Sequence, residues 1–121
     1  MHKFKELKVW NMAIDLATEV YQISSQFPDE EKFGLISQTK RSSVSIAANI
    51  AEGAGRNSPK EFIHFLSIAS GSASETATHF IIAHKIGYIS NENIQKIENM
   101  INSIQNMLFQ LQKTLKTNPK Y

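Results

Sequence analysis

The stretch RSSVSIAANIAEGAGRNSPK, residues 41–60, determines how the rest of the chain can be arranged. Alanine and serine fill its first half, which favours a helix that a neighbouring backbone can approach closely. We predict that Gly53 and Gly55 end this helix, because glycine enters left-handed backbone conformations without steric cost. The residues SPKE at 58–61 then predict a new helix, with serine as N-cap, proline at the first helical position and glutamate closing a capping box.

Apolar residues recur every three or four positions on both sides of this stretch, and no strand pattern competes with them. We predict helices over residues 6–25, 30–52, 59–85 and 91–116. Phe27-Pro28 should end the first, Asp29 should cap the second, Gly87 should end the third and Ser90 should cap the fourth. A chain of 121 residues with four long helices and short loops predicts one domain, an all-α, antiparallel up-down-up-down four-helix bundle.

Each helix should bury one stripe of side chains in the core of this bundle. The predicted stripes are Leu7, Trp10, Ile14, Ala17 and Tyr21 on the first helix, widened by Val9, Ala13 and Val20, then Phe62, Leu66, Ala69, Ala73, Thr76 and Phe80 on the third, and Ile94, Ile97, Ile101, Ile104, Leu108, Leu111 and Leu115 on the fourth.

The second and third helices carry more apolar side chains than one core requires. Off the core stripes lie Val44, Ala48 and Ala51 on the second helix, and Ile63, Ile68, Ile81 and Ile82 on the third. We interpret the excess as a subunit interface and expect a homo-oligomer. The alternative is that these are scattered surface residues of the kind that most proteins carry.

Composition excludes several classes of protein. There is no cysteine, so the chain can form no disulfide and no thiolate metal site, which suits a reducing compartment. The N-terminus MHKFKELKVW lacks the apolar run of a signal peptide, and no apolar segment approaches the roughly 20 residues that span a bilayer. We therefore expect a cytoplasmic protein without a membrane partner.

The basic residues are clustered, although the formal net charge is only +2. An up-down-up-down topology brings both termini and the loop between the second and third helices to one end. That end would hold Lys3, Lys5, Lys8, Arg56, Lys60, Lys113, Lys116 and Lys120, with Glu6, Glu52 and Glu61 nearby. We predict that this end binds RNA or DNA through phosphate contacts with little reading of bases. The alternative is that terminal lysines serve only solubility and helix dipoles.

No catalytic or metal-binding set can be assembled from the sequence, and we expect no enzymatic activity, cofactor or metal. Glu61 and His64 have the Glu-x-x-His spacing of di-metal bundles, but Glu75 and His79 are separated by four, and no second Glu-x-x-His exists. The serines lack a histidine and an acid at a spacing known to activate a nucleophile. The glycine loop at 53–56 follows a helix and lacks the Gly-Lys-Ser/Thr ending of a nucleotide-binding loop.

A set of polar residues lies on one side of the second helix at steps of four, four and three, with two candidates facing it on the third helix. The members are Arg41, Ser45, Asn49 and Glu52, facing Ser72 and Glu75. We favour a buried hydrogen-bond network that fixes helix or subunit register, because buried polar groups need partners. A ligand groove is the alternative.

Three segments carry a resemblance to a known family: LKVWNMAIDLATEVY at 7–21, FPDEEKFGLISQTKRSSVSIAANIAEGAGR at 27–56, and FLSIASGSASE at 65–75. The chain resembles the bacterial four-helix-bundle proteins encoded within intervening sequences of the large (23S) ribosomal RNA gene, which include the accessory variability proteins of diversity-generating retroelements. The positions on the family pattern are Arg41, Ser45, Asn49, Glu52, Gly53, Arg56, Gly71, Ser72 and Glu75. The chain departs from the pattern at Ser70, where arginine is frequent, and at Ser42, where alanine is usual.

The resemblance implies a ring-like homo-oligomer, a pentamer, with a basic surface that binds nucleic acid, and no enzymatic activity. The first hypothesis is therefore a non-enzymatic oligomeric bundle that binds RNA or DNA. The second is a protein–protein scaffold or accessory subunit, with a reverse transcriptase or a ribosomal component as its partner. A metal or small-ligand site around Glu61, His64, Glu75 and His79 is the third.

Overall fold

Four helices make up most of residues 2–117, which are the residues that this structure, a computed structural model, describes. The helices are α1 (Lys8–Ser24), α2 (Leu35–Ala54), α3 (Pro59–Lys85) and α4 (Asn91–Thr117), and single 3₁₀ turns lie at Phe4–Glu6 and Asp29–Glu31. Each helix packs against two others, in the cyclic order α1, α2, α3, α4. Helices that follow each other in the chain are therefore neighbours, and the predicted up-down-up-down bundle is confirmed.

The core-facing stripes of α3 and α4 are as predicted. All six predicted residues of α3 are buried, and on α4 only Leu111 is half-exposed while the other six predicted residues are buried. None of the helices within residues 2–117 combines the length and apolar character that crossing a membrane requires.

The stripe predicted for α1 is only partly correct. The buried apolar residues of α1 are Val9, Ala13, Leu16, Val20 and Ile23, so the core lies on the side of the three residues predicted to widen the stripe and not on its centre. Two predicted core residues, Ile14 and Tyr21, are 39% and 47% exposed. Apolar side chains surround much of α1, so periodicity alone allowed two faces. The face that packs on α2 and α4 contains Leu16, which the predicted stripe omitted.

Helix α2 begins at Leu35, five residues later than predicted. The acidic segment at 29–31 forms a separate 3₁₀ turn, and Gly34, with φ −110° and ψ −109°, interrupts the helical path. The capping role expected of Asp29 passes to Glu31, whose Oε1 accepts a hydrogen bond from the Leu35 N–H at 3.2 Å. Glu31 also accepts a 3.2 Å bond from the Tyr88 hydroxyl, so it links the start of α2 to the α3–α4 loop.

Of the two glycines predicted to end α2, Gly55 is the C-cap residue, but neither glycine adopts a left-handed conformation. The helix continues through Gly53 to Ala54, and Gly55 has an ordinary φ of −82°. Gly53 is buried against α3, where an added Cβ would lie 2.8 Å from Phe65 Cβ and 2.9 Å from Phe62 Cδ1. Glycine is needed here because two helices approach closely, and not because the backbone turns.

Three of the predicted helix ends are confirmed. Ser58 Oγ caps α3 by accepting from the Glu61 N–H at 3.2 Å, although the Glu61 carboxylate in return accepts from the Ser58 hydroxyl rather than from a backbone N–H. Ser90 Oγ accepts from the Asn93 N–H at 3.1 Å. Gly87, at φ +86°, ends α3, and the next N–H, of Tyr88, bonds back to the Ala83 carbonyl at 2.8 Å.

We expect Gly53→Ala to lower the free energy of unfolding by about 1–3 kcal/mol, despite the higher helix propensity of alanine. The new methyl group would lie 3.2 Å from the Phe62 carbonyl oxygen as well as against Phe65 Cβ, and no change of side-chain rotamer moves either atom away. Urea denaturation measures the effect. The matched control is Gly71→Ala, an exposed site in α3 with open space around the new Cβ, which should gain about 0.5–1 kcal/mol. Equal stability of Gly53→Ala and the wild type would contradict the close approach.

A second prediction concerns pH. The pKa of Tyr88 is raised above 10.0 because burial disfavours the phenolate, the hydroxyl donates to Glu31, and the charges of Glu31 and Glu30 oppose ionisation. The folded protein therefore holds this proton more tightly than the unfolded chain does. The resulting stability is fully present below pH 10.0 and is lost as the pH rises through the higher pKa of the folded state. Urea titrations below and above that pH should show a smaller decrease in the free energy of unfolding for Tyr88→Phe than for the wild type. An equal decrease in both would contradict the assignment.

Candidate nucleic-acid interface

The N-terminal segment, the α2–α3 loop and the end of α4 meet at one end of the bundle, which we call the basic end. The His2 N–H donates to the Ala54 carbonyl at 2.8 Å, which holds the N-terminal segment against the end of α2. The described basic residues at this end are Lys3, Lys5, Lys8, Arg56, Lys60, Lys113 and Lys116, and Lys120 lies outside the described residues.

The register between α3 and α4 brings their lysines to the same level. Gln105 Nε2 donates to the Ser70 carbonyl at 3.2 Å and to Ser74 Oγ at 2.9 Å. Lys116 lies eleven positions beyond Gln105, and Pro59, the first residue of α3, lies eleven positions before Ser70. At a rise of 1.5 Å per residue, both are displaced by about 16 Å towards the same end.

The lysines of the basic end differ from Arg56 in their pairing. All six are exposed, and among residues 2–117 none has a carboxylate oxygen within 4.0 Å of its amine. In contrast, Lys96 on the side of the bundle pairs with Glu19 at 2.8 Å. The six ammonium groups are thus free to meet a phosphate without first breaking an ion pair.

Arg56 is already engaged. Its Nη2 lies 2.6 Å from Glu52 Oε1 and its Nη1 4.0 Å from Glu61 Oε1, and its guanidinium lies 4.8 Å from the centre of the Phe65 ring. Two carboxylates offset its charge, and the first turn of α3 already has the Ser58 cap and Glu61. Arg56 therefore holds the α2–α3 corner together, and the predicted phosphate contact at this residue would compete with Glu52 and Glu61.

The far end of the bundle is acidic. Asp29, Glu30 and Glu31 share a single turn there, and the phenolic proton of Tyr88 is held by Glu31. The lysines at that end include Lys32, which lies 5.6 Å from the centre of the Phe33 ring, and Lys85. The charge of the molecule is therefore separated along the bundle axis far more than a net charge of +2 indicates.

The polar set predicted on α2 is not one continuous network. Ser45 Oγ lies 2.9 Å from Ser72 Oγ and links α2 to α3, and Asn49 Nδ2 donates to the Ser45 carbonyl at 2.8 Å and to its hydroxyl at 2.9 Å. Arg41 is exposed, and Glu52 turns to Arg56. Of the predicted set, only Ser45 and Ser72 form a hydrogen bond between α2 and α3, with Asn49 bonded to Ser45. Arg41 and Glu52, at the two ends of the set, do not take part in the α2–α3 contact.

A second α2–α3 link was not predicted from the sequence. Ser42 Oγ lies 2.8 Å from Thr76 Oγ1 and 3.4 Å from His79 Nδ1, and His79 Nε2 lies 3.7 Å from Glu75 Oε2. The order serine, histidine, acid is that of a hydrolase triad. Ser42 is only 3% exposed and its hydroxyl is also within 3.1 Å of the Thr39 carbonyl, so a substrate has no access to it. This link stabilises the contact between α2 and α3. It could not be predicted from the sequence because it depends on the register of the two helices.

Within residues 2–117, no three histidine, aspartate or glutamate side chains are grouped so that they could hold a metal ion. His79 points into the α2–α3 contact, and His64 is exposed with its ring against Phe65 at 5.5 Å. Glu61 serves the cap of α3. Of the four residues of the metal hypothesis, Glu75 and His79 lie together, whereas Glu61 and His64 lie in the first two turns of α3 and do not join them.

A surface groove that was not predicted from the sequence lies between α3 and α4, next to the basic end. Its volume is about 450 Å³, and its lining comprises Ser70, Gln105, Phe109, Gln112, Lys113 and Lys116. The Phe109 side chain is 57% exposed there. In the sequence, the groove could have been recognised from Phe109, an aromatic residue outside the regular apolar repeat of α4.

Comparisons with known proteins agree with this architecture. A crystal structure of a protein of unknown function, from the S23 ribosomal protein family of Bacteroides thetaiotaomicron VPI-5482, is similar with a TM-score of 0.81 and 30% sequence identity. The similarity covers 88% of this chain and 99% of that one. Among proteins with curated descriptions, none matches the chain. The sequence profile of the family described as 23S rRNA-intervening sequence protein matches residues 5–110, and the chain therefore belongs to the 23S rRNA-intervening sequence protein family.

Proposed function

We propose that this protein is a non-enzymatic binding protein whose basic end contacts the phosphates of RNA or DNA. The observation that carries the proposal is a group of six exposed lysines, on three segments that meet at one end, with no carboxylate partner among residues 2–117. Each lysine that neutralises a phosphate releases condensed counterions, which gives an affinity that depends on salt and little on sequence. If the target is ribosomal RNA or its precursor, the protein acts in the cytoplasm.

We also propose that the chain assembles with copies of itself through the α1–α2 face. Exposed apolar residues occur on both helices of this face: Ile14 and Tyr21 of α1 are 39% and 47% exposed, and Val44 of α2 is 45% exposed. Lys40 lies 4.8 Å from the centre of the Tyr21 ring, so the antiparallel register brings Val44, one turn further along α2, next to the middle of α1. On α3 the exposed isoleucines are divided between two places, because Ile68 lies about 20 Å along the helix from Ile81 and Ile82.

A ring-like assembly, a pentamer as the family resemblance implies, would repeat the basic end around one axis. Several weak phosphate contacts would then act together on one nucleic acid. The same apolar face also favours the second function, an accessory subunit that docks on another protein. These two functions differ in whether purified protein binds nucleic acid by itself.

The first test reverses charge at the basic end. We expect Lys113→Glu with Lys116→Glu to weaken binding to a stem-loop RNA strongly and to reduce the slope of log affinity against log salt by about 1–2, since each phosphate contact contributes roughly 0.9. Fluorescence anisotropy across a salt series measures both quantities.

The matched control is Lys32→Glu with Lys85→Glu at the acidic end, which changes the net charge by the same amount. Its affinity should stay near that of the wild type. Equal weakening by both variants would mean that only net charge matters, and a wild type that binds no nucleic acid would leave the accessory-subunit function in its place.

The second test concerns assembly. We expect light scattering at micromolar concentration to give a mass above that of one chain for the wild type, and Ile14→Glu with Val44→Glu to reduce it, because buried carboxylates without partners oppose association. Ile68→Glu with Ile82→Glu, which lies on another face, should keep the assembly. A wild-type mass of a single chain would overturn the proposed oligomer.

A further inference from the structure

The exposed ring of Phe109 differs from three other aromatic rings of the bundle in that no cation covers its face within residues 2–117. Lys32, Lys40 and Arg56 lie over the rings of Phe33, Tyr21 and Phe65, at 5.6, 4.8 and 4.8 Å from the ring centres. Within residues 2–117, no such cation lies over Phe109, although its side chain is 57% exposed. An exposed phenyl ring of this kind is available for a ligand to cover.

The surroundings of Phe109 combine one aromatic face with cations and amides. Lys113 lies one helical turn from Phe109 and Lys116 lies two turns away, on the same side of α4, and both line the same groove of about 450 Å³. Across the groove stands Ser70 of α3. Gln105 donates through Nε2 to Ser70 and Ser74, which fixes the amide and leaves its oxygen as an acceptor.

This rim argues against an apolar protein segment as the occupant. Two lysines and two glutamines surround a single phenyl ring, so there is no continuous apolar patch to bury a helix or strand. A planar ring next to positive charge is the combination by which proteins bind single-stranded nucleic acid, with bases stacked on aromatic side chains and the backbone along a basic groove. A groove of this volume is also in the range of small-ligand sites.

We propose that the α3–α4 groove binds a single-stranded segment of nucleic acid, with one unpaired base stacked on Phe109 and Lys113 and Lys116 on the adjoining phosphates. The proposal rests on the proposed function and specifies its substrate as unpaired rather than duplex nucleic acid. A base within a duplex is stacked on its neighbours and cannot cover the ring. Stacking tolerates any base, so sequence preference should be small.

The test compares Phe109→Ala with wild type on an RNA single strand and on a duplex that contains the same strand, at one fixed salt concentration. We expect affinity for the single strand to fall by about 5- to 150-fold, the range for loss of one base–aromatic stack, and affinity for the duplex to change less than about twofold. The salt slope should stay unchanged, unlike that of the Lys113 and Lys116 charge reversal. Phe109→Trp should keep the preference for single strands, and Phe109→Leu, which is apolar but cannot stack, should behave as Phe109→Ala does.

Phe33→Ala, which removes an exposed ring at the acidic end, is the matched control and should bind as the wild type does. Equal weakening on single strand and duplex, or no effect of Phe109→Ala, would overturn the stacking site and leave phosphate binding by the lysines intact. A lower mass of Phe109→Ala in light scattering would assign the ring to a contact between subunits and would also overturn it. Binding of neither nucleic acid by the wild type would remove the proposed function together with this site.

Discussion

The close contact between α2 and α3 is the constraint on which the rest of the structure depends. Gly53 lies under Phe62 and Phe65 with no room for a methyl group, and the hydroxyl pairs Ser45–Ser72 and Ser42–Thr76 join the two helices further along. Small residues allow the approach, and hydroxyls that also bond within their own helices avoid buried polar groups without partners. The N-terminal segment is held next to this contact, because the His2 N–H donates to the Ala54 carbonyl at the end of α2.

The sequence was sufficient for the number of helices, their order, the ends of α3 and the core stripes of α3 and α4, because caps and a 3.6-residue period are local properties. The sequence was insufficient wherever the local pattern was compatible with two structures. The apolar residues of α1 permitted two core faces, and the choice depends on its neighbours. Gly53 resembled a helix stop but serves helix packing, and that distinction requires the position of Phe65. The start of α2 moved because the acidic turn at 29–31 forms a structure of its own.

The candidate site shows the same division. The topology alone brought the lysines to one end, since antiparallel helices with short loops leave no alternative. Which of the basic residues are free of ion pairs could not be predicted from the sequence. Arg56 has carboxylates four positions before and five positions after it, and only the geometry of the α2–α3 corner brings both within reach. The structure thus separates residues that hold the fold from residues available to a ligand, although all carry the same charge.

Position 70 of α3 lines the α3–α4 groove. Members of the resembled family often carry arginine there, and such a side chain would extend from α3 across the groove towards α4. Serine instead leaves that volume open and contributes its carbonyl to Gln105. With serine at this position the ring of Phe109 is exposed, and Lys113 and Lys116 provide the charge at the rim of the groove. The proposed stacking of a base on Phe109 depends on this open volume, because an occupied groove would leave no room for the base.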